Sequence, residues 1–148
     1  MQNLVKMVAT FFGVGFIPMI PATWASAVAA VLAWFFPESW LIVLLTVFSV
    51  AGLLICRPAQ TALNSKDPKA FVMDEVCGMM LSVLWLPKSM SLYFCAFILF
   101  RVLDVWKPWP ISRIQASRHP SSIMWDDLLA GVAANLILRL FLWITVKI

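Results

Sequence analysis

Phe100-Arg101-Val102-Leu103-Asp104-Val105-Trp106-Lys107-Pro108-Trp109-Pro110 carries an apolar run into charges spaced three apart and stops it with two prolines. Read as the end of a helix from Tyr93 to Trp106, it places Arg101, Asp104 and Lys107 on successive turns of one face. Pro108 ends that helix because it lacks the N–H for the next hydrogen bond and disfavours a helical residue before it. The fold must therefore accommodate a charged face on an apolar rod. On a wetted surface an Arg101/Asp104 pair at i, i+3 contributes only about 0.2–0.5 kcal/mol. Beside hydrocarbon, ionised groups are costly unless paired, hydrated or metal-bound, and the same residues become candidates for function.

Composition supplies the hydrocarbon. Hydrophobic residues make up 63% of the chain and charged ones 12%, with a mean hydropathy of +0.94, far above the apolar share of about 45–50% in soluble domains. The class expected is an all-α, integral membrane helical bundle. A length of 148 residues suits one domain, residues 1–148. The 8 Trp and 11 Phe against 1 Tyr suit lipid contact and interfacial belts. A formal charge of +4 without a dense Lys/Arg tract points to anionic lipid and away from nucleic acid. Cys56, Cys77 and Cys95 lie in apolar segments without Cys-x-x-Cys spacing, against a disulfide or zinc framework. Cys95 to Arg101 has the Cys-x5-Arg spacing of cysteine phosphatases, but Ala-Phe-Ile-Leu-Phe between them reads as helix and not as an amide-lined loop.

Outward from the central stretch, the chain divides at its polar breaks. Met1 to Lys6 is too short and polar for a cleaved signal, so the N-terminus is expected to stay. Met7 to Ile17, with Gly13 and Gly15, reads as a short interfacial or re-entrant segment. Pro18 to Ser26 is a loop into a helix start with Thr23 as the expected N-cap, an end whose free amides suit a phosphate. Trp24–Phe36 and Trp40–Cys56 form a hairpin about Pro37-Glu38-Ser39, and Arg57–Lys69 reads as a polar loop. Ala70–Leu86 and Met90–Trp106 flank the turn Pro87-Lys88-Ser89, Lys107–Trp125 is a second polar loop, and Leu128–Val146 is the last apolar run. About five transmembrane helices follow. The positive-inside rule puts both long loops and the N-terminus in the cytoplasm.

That topology gathers acids. Asp67, Asp74 and Glu75 precede or open a helix leaving the cytoplasm, Asp104 closes one arriving there, and Asp126 and Asp127 open the next, so six of the seven acids share one depth and only Glu38 lies opposite. The helix dipole stabilises acids at helix starts by about 0.3–1 kcal/mol each, but it disfavours Asp104 at a helix end. Converging carboxylates repel, and a divalent cation is the economical remedy. With one His in the chain, oxygen ligation points to Mg²⁺ or Mn²⁺ and not zinc. A hard cation beside Arg101 and Lys107 describes a phosphoryl-transfer site, and its depth suggests a lipid phosphate. The alternative from another class is a cation- or proton-coupled membrane transporter that uses the acids as an ion path.

Four ordered blocks resemble the phosphatidylglycerophosphatase A family. Asp67-Pro68 through Asp74-Glu75-Val76-Cys77-Gly78 is similar to its Asp-Pro…Asp-Glu-x-x-Gly block, and Arg101-x-x-Asp104-x-x-Lys107-Pro108-x-Pro110 to its Arg-x-x-Asp-x-x-Lys-Pro-x-Pro block. Asp126-Asp127-x-x-Ala130-Gly131 resembles its Asp-Asp-x-x-Ala-Gly block, and Gly13-x-Gly15 with Pro18 to Ser26 resembles its N-terminal segment. Ala22 and Ala25 stand where the family prefers glycine, and Arg118 to Ser122 replaces a glycine-rich approach to the Asp-Asp pair. The resemblance implies a Mg²⁺-dependent enzyme of the bacterial inner (cytoplasmic) membrane, multi-pass with its active site on the cytoplasmic side. It would hydrolyse phosphatidylglycerophosphate to phosphatidylglycerol and phosphate. The family's acids map onto Asp67, Asp74, Glu75, Asp104, Asp126 and Asp127 as metal ligands. On this reading Asp74 or Glu75 takes a proton from water, Asp104 belongs to the catalytic group, Arg101 and Lys107 hold the phosphate, and Thr23 and Ser26 contact the headgroup. An aspartyl-phosphate intermediate is equally compatible.

Overall fold

The computed structural model describes residues 2–64, 68–109, 111–115 and 119–146, and among them every regular element is helical. In order they are α1 (Gln2–Ala9), a 3₁₀ turn (Val14–Phe16), α2 (Pro21–Phe35), α3 (Glu38–Ala62), α4 (Met73–Val83), α5 (Met90–Trp106), α6 (Ile111–Gln115) and α7 (Ser122–Val146). α4 is the axis: nine of its eleven residues are buried, from Met73 to Val83. α2, α3, α5 and α7 pack around it, α1 lies on α3, and α6 lies on α7. The outer faces are apolar. Val43, Val47, Val50 and Leu54 on α3 and Leu136, Leu140, Phe141 and Trp143 on α7 are all exposed. Water disfavours such surface at about 25 cal/mol per Å².

Two helices, α3 and Ser122–Thr145 of α7, are long and apolar enough to cross a membrane, while apolar α2 is shorter. The expectation of five spans is thus corrected. Residues 70–86 do not form one rod: α4 has 11 residues, about 16 Å at 1.5 Å per residue. Past Val83 the chain turns through Trp85 at φ 58° and runs without helix to Ser89. A helix that stops inside an apolar bundle leaves carbonyls without partners, and α7 supplies the donors. Asn135 Nδ2 donates to the Ser82 and Leu84 carbonyls at 3.0 and 2.9 Å, and Arg139 Nη2 donates to Leu84 O at 3.2 Å. Arg139 Nε also holds the Asn135 amide oxygen at 2.7 Å.

Two boundaries also differ from the sequence expectation. α3 continues through Pro58 to Ala62 where a loop was expected from Arg57. An interior proline costs about 3 kcal/mol, and Pro58, Thr61 and Ala62 line a pocket together with Gln2 and Val5 of α1. α2 begins at Pro21 with Ile20 at the N-cap and no side-chain cap, so Thr23 is not the cap. Pro21 takes the first helical position, where a missing N–H costs nothing. The Met7–Ile17 segment is a helix end and a 3₁₀ turn, tied down by the Val72 N–H donating to Ala9 O at 3.0 Å.

α4 and α7 approach through glycine. A Cβ on Gly131 would sit 2.3 Å from Gly78 O, and one on Gly78 would sit 2.7 Å from Asp127 O. Gly78 follows Asp74 by four residues and Gly131 follows Asp127 by four, so the closest crossing lies one turn from both acids.

Candidate active site

Asp74 and Glu75 enter from the first turn of α4, Asp104 from the last turn of α5, and Asp126 and Asp127 from the second turn of α7. All four aspartates are buried. Asp67 lies outside the described residues, so the structure gathers five of the six expected acids at one end of the bundle. Glu38 is at the other end, accepting the Trp85 N–H at 3.2 Å. No described acid lines the helices between, which leaves the transporter alternative without a path.

The five acids divide into two groups. Asp74, Glu75 and Asp127 each offer a carboxylate oxygen within 4.8 Å of the others. Glu75 Oε2 and Asp127 Oδ2 are buried without a hydrogen-bond partner. A buried carboxylate left so costs several kcal/mol. Three oxygens from two helices, two with free lone pairs, fit a hard divalent cation that takes its remaining ligands from water or phosphate. No sulfur or imidazole enters the group, which disfavours zinc.

Asp104 and Asp126 are occupied by side-chain cations. Arg101 Nη1 donates to Asp104 Oδ2 at 2.6 Å, Lys107 Nζ is 3.8 Å from Asp104 Oδ1, and Lys107 donates to Asp126 Oδ2. Lys107 reaches both because it caps α5 in the left-handed region, φ 45°, with Pro108 behind it. Burial works against the Lys107 charge, but the carboxylates of Asp126, Asp127 and Asp104 outweigh it and hold the ammonium pKa above the ordinary lysine value. The pair at i, i+3 is therefore no solvated surface bridge.

Among the described residues no hydrogen bond or ion pair joins Thr23 or Ser26 to this centre, although α2 packs on α4. Ser26 is buried with its hydroxyl donating to Ala22 O at 2.9 Å, and half-buried Thr23 lies in the first turn of α2. His119 is exposed in the turn before α7, with Nδ1 at 2.6 Å from Ser121 Oγ. Cys95 lies within α5, so the Cys-x5-Arg spacing is helical. Sequence reasoning missed the Gly78/Gly131 crossing and the role of Asn135. Arg139, a lone arginine in the last apolar run, is the sequence signal that could have found the latter, because such a charge needs polar partners.

The pattern of the phosphatidylglycerophosphatase A family matches residues 7–142. Phosphatidylglycerophosphatase A of Escherichia coli (strain K12) is 33% identical over 138 residues, 89% of this chain and 80% of the relative. A Bacteroides thetaiotaomicron protein provisionally named a phosphatidylinositol-3-phosphatase is 29% identical over 150 residues, 93% of each chain. Phosphatidylglycerophosphatase A of Haemophilus influenzae is 27% identical over 141 residues, 91% of this chain and 86% of the relative. No solved structure matches the chain.

Proposed function

The chain belongs to the phosphatidylglycerophosphatase A family, and on that premise we propose that it hydrolyses phosphatidylglycerophosphate to phosphatidylglycerol and phosphate as a single membrane-embedded, Mg²⁺-dependent domain. The observation that carries the reading is the group of Asp74, Glu75 and Asp127 with its two unsatisfied buried oxygens, set beside Arg101 and Lys107. Held by Asp74, Glu75 and Asp127, a Mg²⁺ ion would supply counter-charge to the carboxylates and the phosphomonoester and would lower the pKa of a water.

The chain's own residues do the rest. Arg101, held by Asp104, presents a planar fork suited to two phosphate oxygens, and Lys107 presents a point charge. Asp74 or Glu75 accepts a proton from water as the water oxygen bonds to phosphorus and the bond from phosphorus to the glycerol oxygen breaks. The same carboxyl returns that proton to the glycerol oxygen, which leaves as an alcohol. Half-buried Thr23, in the first turn of α2, serves the headgroup side, whereas Ser26 is fully buried with its hydroxyl donating to Ala22 O.

The bundle lies in the bacterial inner membrane with the acid end toward the cytoplasm. α3 and α7 cross, and the basic Lys6, Arg57, Lys69 and Arg113 belong to the segments at the acid end. The exposed apolar faces of α3 and α7 support lipid contact.

The test is phosphate release from phosphatidylglycerophosphate in detergent micelles, with Mg²⁺ and then with EDTA, and with phosphatidylinositol 3-phosphate as a second substrate. Metal-dependent release from the first substrate is expected. Faster release from the inositol lipid would reassign the headgroup, and no release from folded protein in any arm would overturn the phosphatase reading.

A further inference from the structure

We propose that this centre takes one divalent cation and not two, because the Lys107 ammonium fills the second cation position between Asp104 and Asp126. The inference rests on the metal-dependent reading above and adds the number of ions and the residues that fix it. Two-metal phosphoryl-transfer sites hold ions roughly 3.5–4 Å apart among shared carboxylates. Here the carboxylates are numerous enough for such a pair, yet they are not equally available. The oxygens lacking partners, Glu75 Oε2 and Asp127 Oδ2, both belong to the three-residue group, and the Asp127 residue is 3% exposed. Asp104 and Asp126 adjoin that group: Asp126 precedes Asp127 and accepts its N–H on Oδ1 at 3.2 Å, and Lys107 ties Asp126 to Asp104. Their oxygens are taken: Asp104 by Arg101 at 2.6 Å and Lys107 at 3.8 Å, Asp126 by Lys107.

Lys107 is not a surface chain that has drifted inward. Its backbone is fixed at φ 45°, its N–H donates to Leu103 O at 2.8 Å, and a proline follows. Its side chain is 19% exposed. An ammonium built into the chain has one consequence a second metal ion lacks, which is that chelators cannot remove it.

The experiment counts Mn²⁺, a paramagnetic probe for the Mg²⁺ site, by electron paramagnetic resonance on the full chain in detergent. The wild type should bind one ion per chain without Mn–Mn coupling. Lys107→Met should bind two and show the coupled spectrum, while Lys107→Arg should return the count to one. Asp126→Asn should keep the single ion with a much smaller loss of affinity than Asp127→Asn, which should weaken it roughly tenfold or more. Two coupled ions in the wild type, a single ion in folded Lys107→Met, or equal losses in Asp126→Asn and Asp127→Asn would overturn the inference while leaving a metal-dependent phosphatase intact. The wild-type count and the comparison of the two aspartates decide the matter even if Lys107→Met does not fold. No Mn²⁺ bound by the folded wild type would instead overturn the cation site on which the phosphatase reading stands.

Discussion

Gly131→Ala tests whether the α4–α7 crossing sets the active site. The new Cβ would stand 2.3 Å from Gly78 O, 3.0 Å from Gly78 C and 3.1 Å from Gly78 Cα, all backbone atoms, while ordinary contact begins at 3.4 Å. The helices must therefore part by about 1 Å, the shortfall between 2.3 and 3.4 Å. Overpacking of this kind costs about 1–3 kcal/mol. The larger effect should fall on function. Asp127 is one turn away on α7, and Asp74 and Glu75 sit one turn from Gly78 on α4, so the parting enters directly into a group whose oxygens lie within 4.8 Å. Metal–ligand distances tolerate about 0.2 Å, and a 1 Å misplacement can cost about 10²-fold in rate.

The assay is phosphate release at saturating lipid across a Mg²⁺ titration, with thermal unfolding to confirm the fold. A rise in half-saturating Mg²⁺ and a roughly 10²-fold fall in turnover are expected. Gly52→Ala is the control: its Cβ would meet Met124 Sδ at 2.7 Å and Cε at 2.8 Å, the end of a flexible chain that can move aside, so most turnover should survive. Wild-type turnover and Mg²⁺ affinity in Gly131→Ala would refute the argument that backbone contact fixes the carboxylate spacing.

Asn135→Leu should destabilise the fold more than Arg139→Met, by about 1–3 kcal/mol in thermal or denaturant unfolding. Ser82 O loses its Asn135 donor in the first variant, whereas Leu84 O keeps one of its two in either. Equal losses would contradict that accounting. Asp127→Asn should raise the melting temperature of chelated protein by relieving an unpaired buried charge, and it should abolish the gain that wild type shows on adding Mg²⁺. That gain is about 2.7 kcal/mol at a concentration 100 times the Kd. A metal-induced shift in Asp127→Asn equal to that of the wild type would exclude Asp127 as a ligand. N-ethylmaleimide in detergent should modify exposed Cys95 and spare buried Cys56 and Cys77, as read by mass spectrometry; early labelling of Cys77 would show that α4 is not the bundle's core.

By itself the sequence determined what depends on composition and on spacing along one chain. Its apolar content and proline breaks specify a helical bundle, the i, i+3 spacing of Arg101, Asp104 and Lys107 specifies one charged face, and acids at successive segment ends specify convergence at one level. Those features are local, and helical period carries them into space unchanged. Only the tertiary structure decided how the acids divide, because the sharing of Lys107 between Asp104 and Asp126 joins residues 19 apart from different helices. Only it could show that α4 ends at Val83. Val83, Leu84 and Trp85 are apolar and continue the hydrophobic pattern, and what permits the break is Asn135 and Arg139, whose bonds span 51 to 55 residues. The same holds for Gly78 and Gly131, whose meaning lies in each other. A residue's partner across the bundle leaves no mark on its neighbours in sequence, so the chain displays its chemistry while only packing displays which carboxylates remain free to use it.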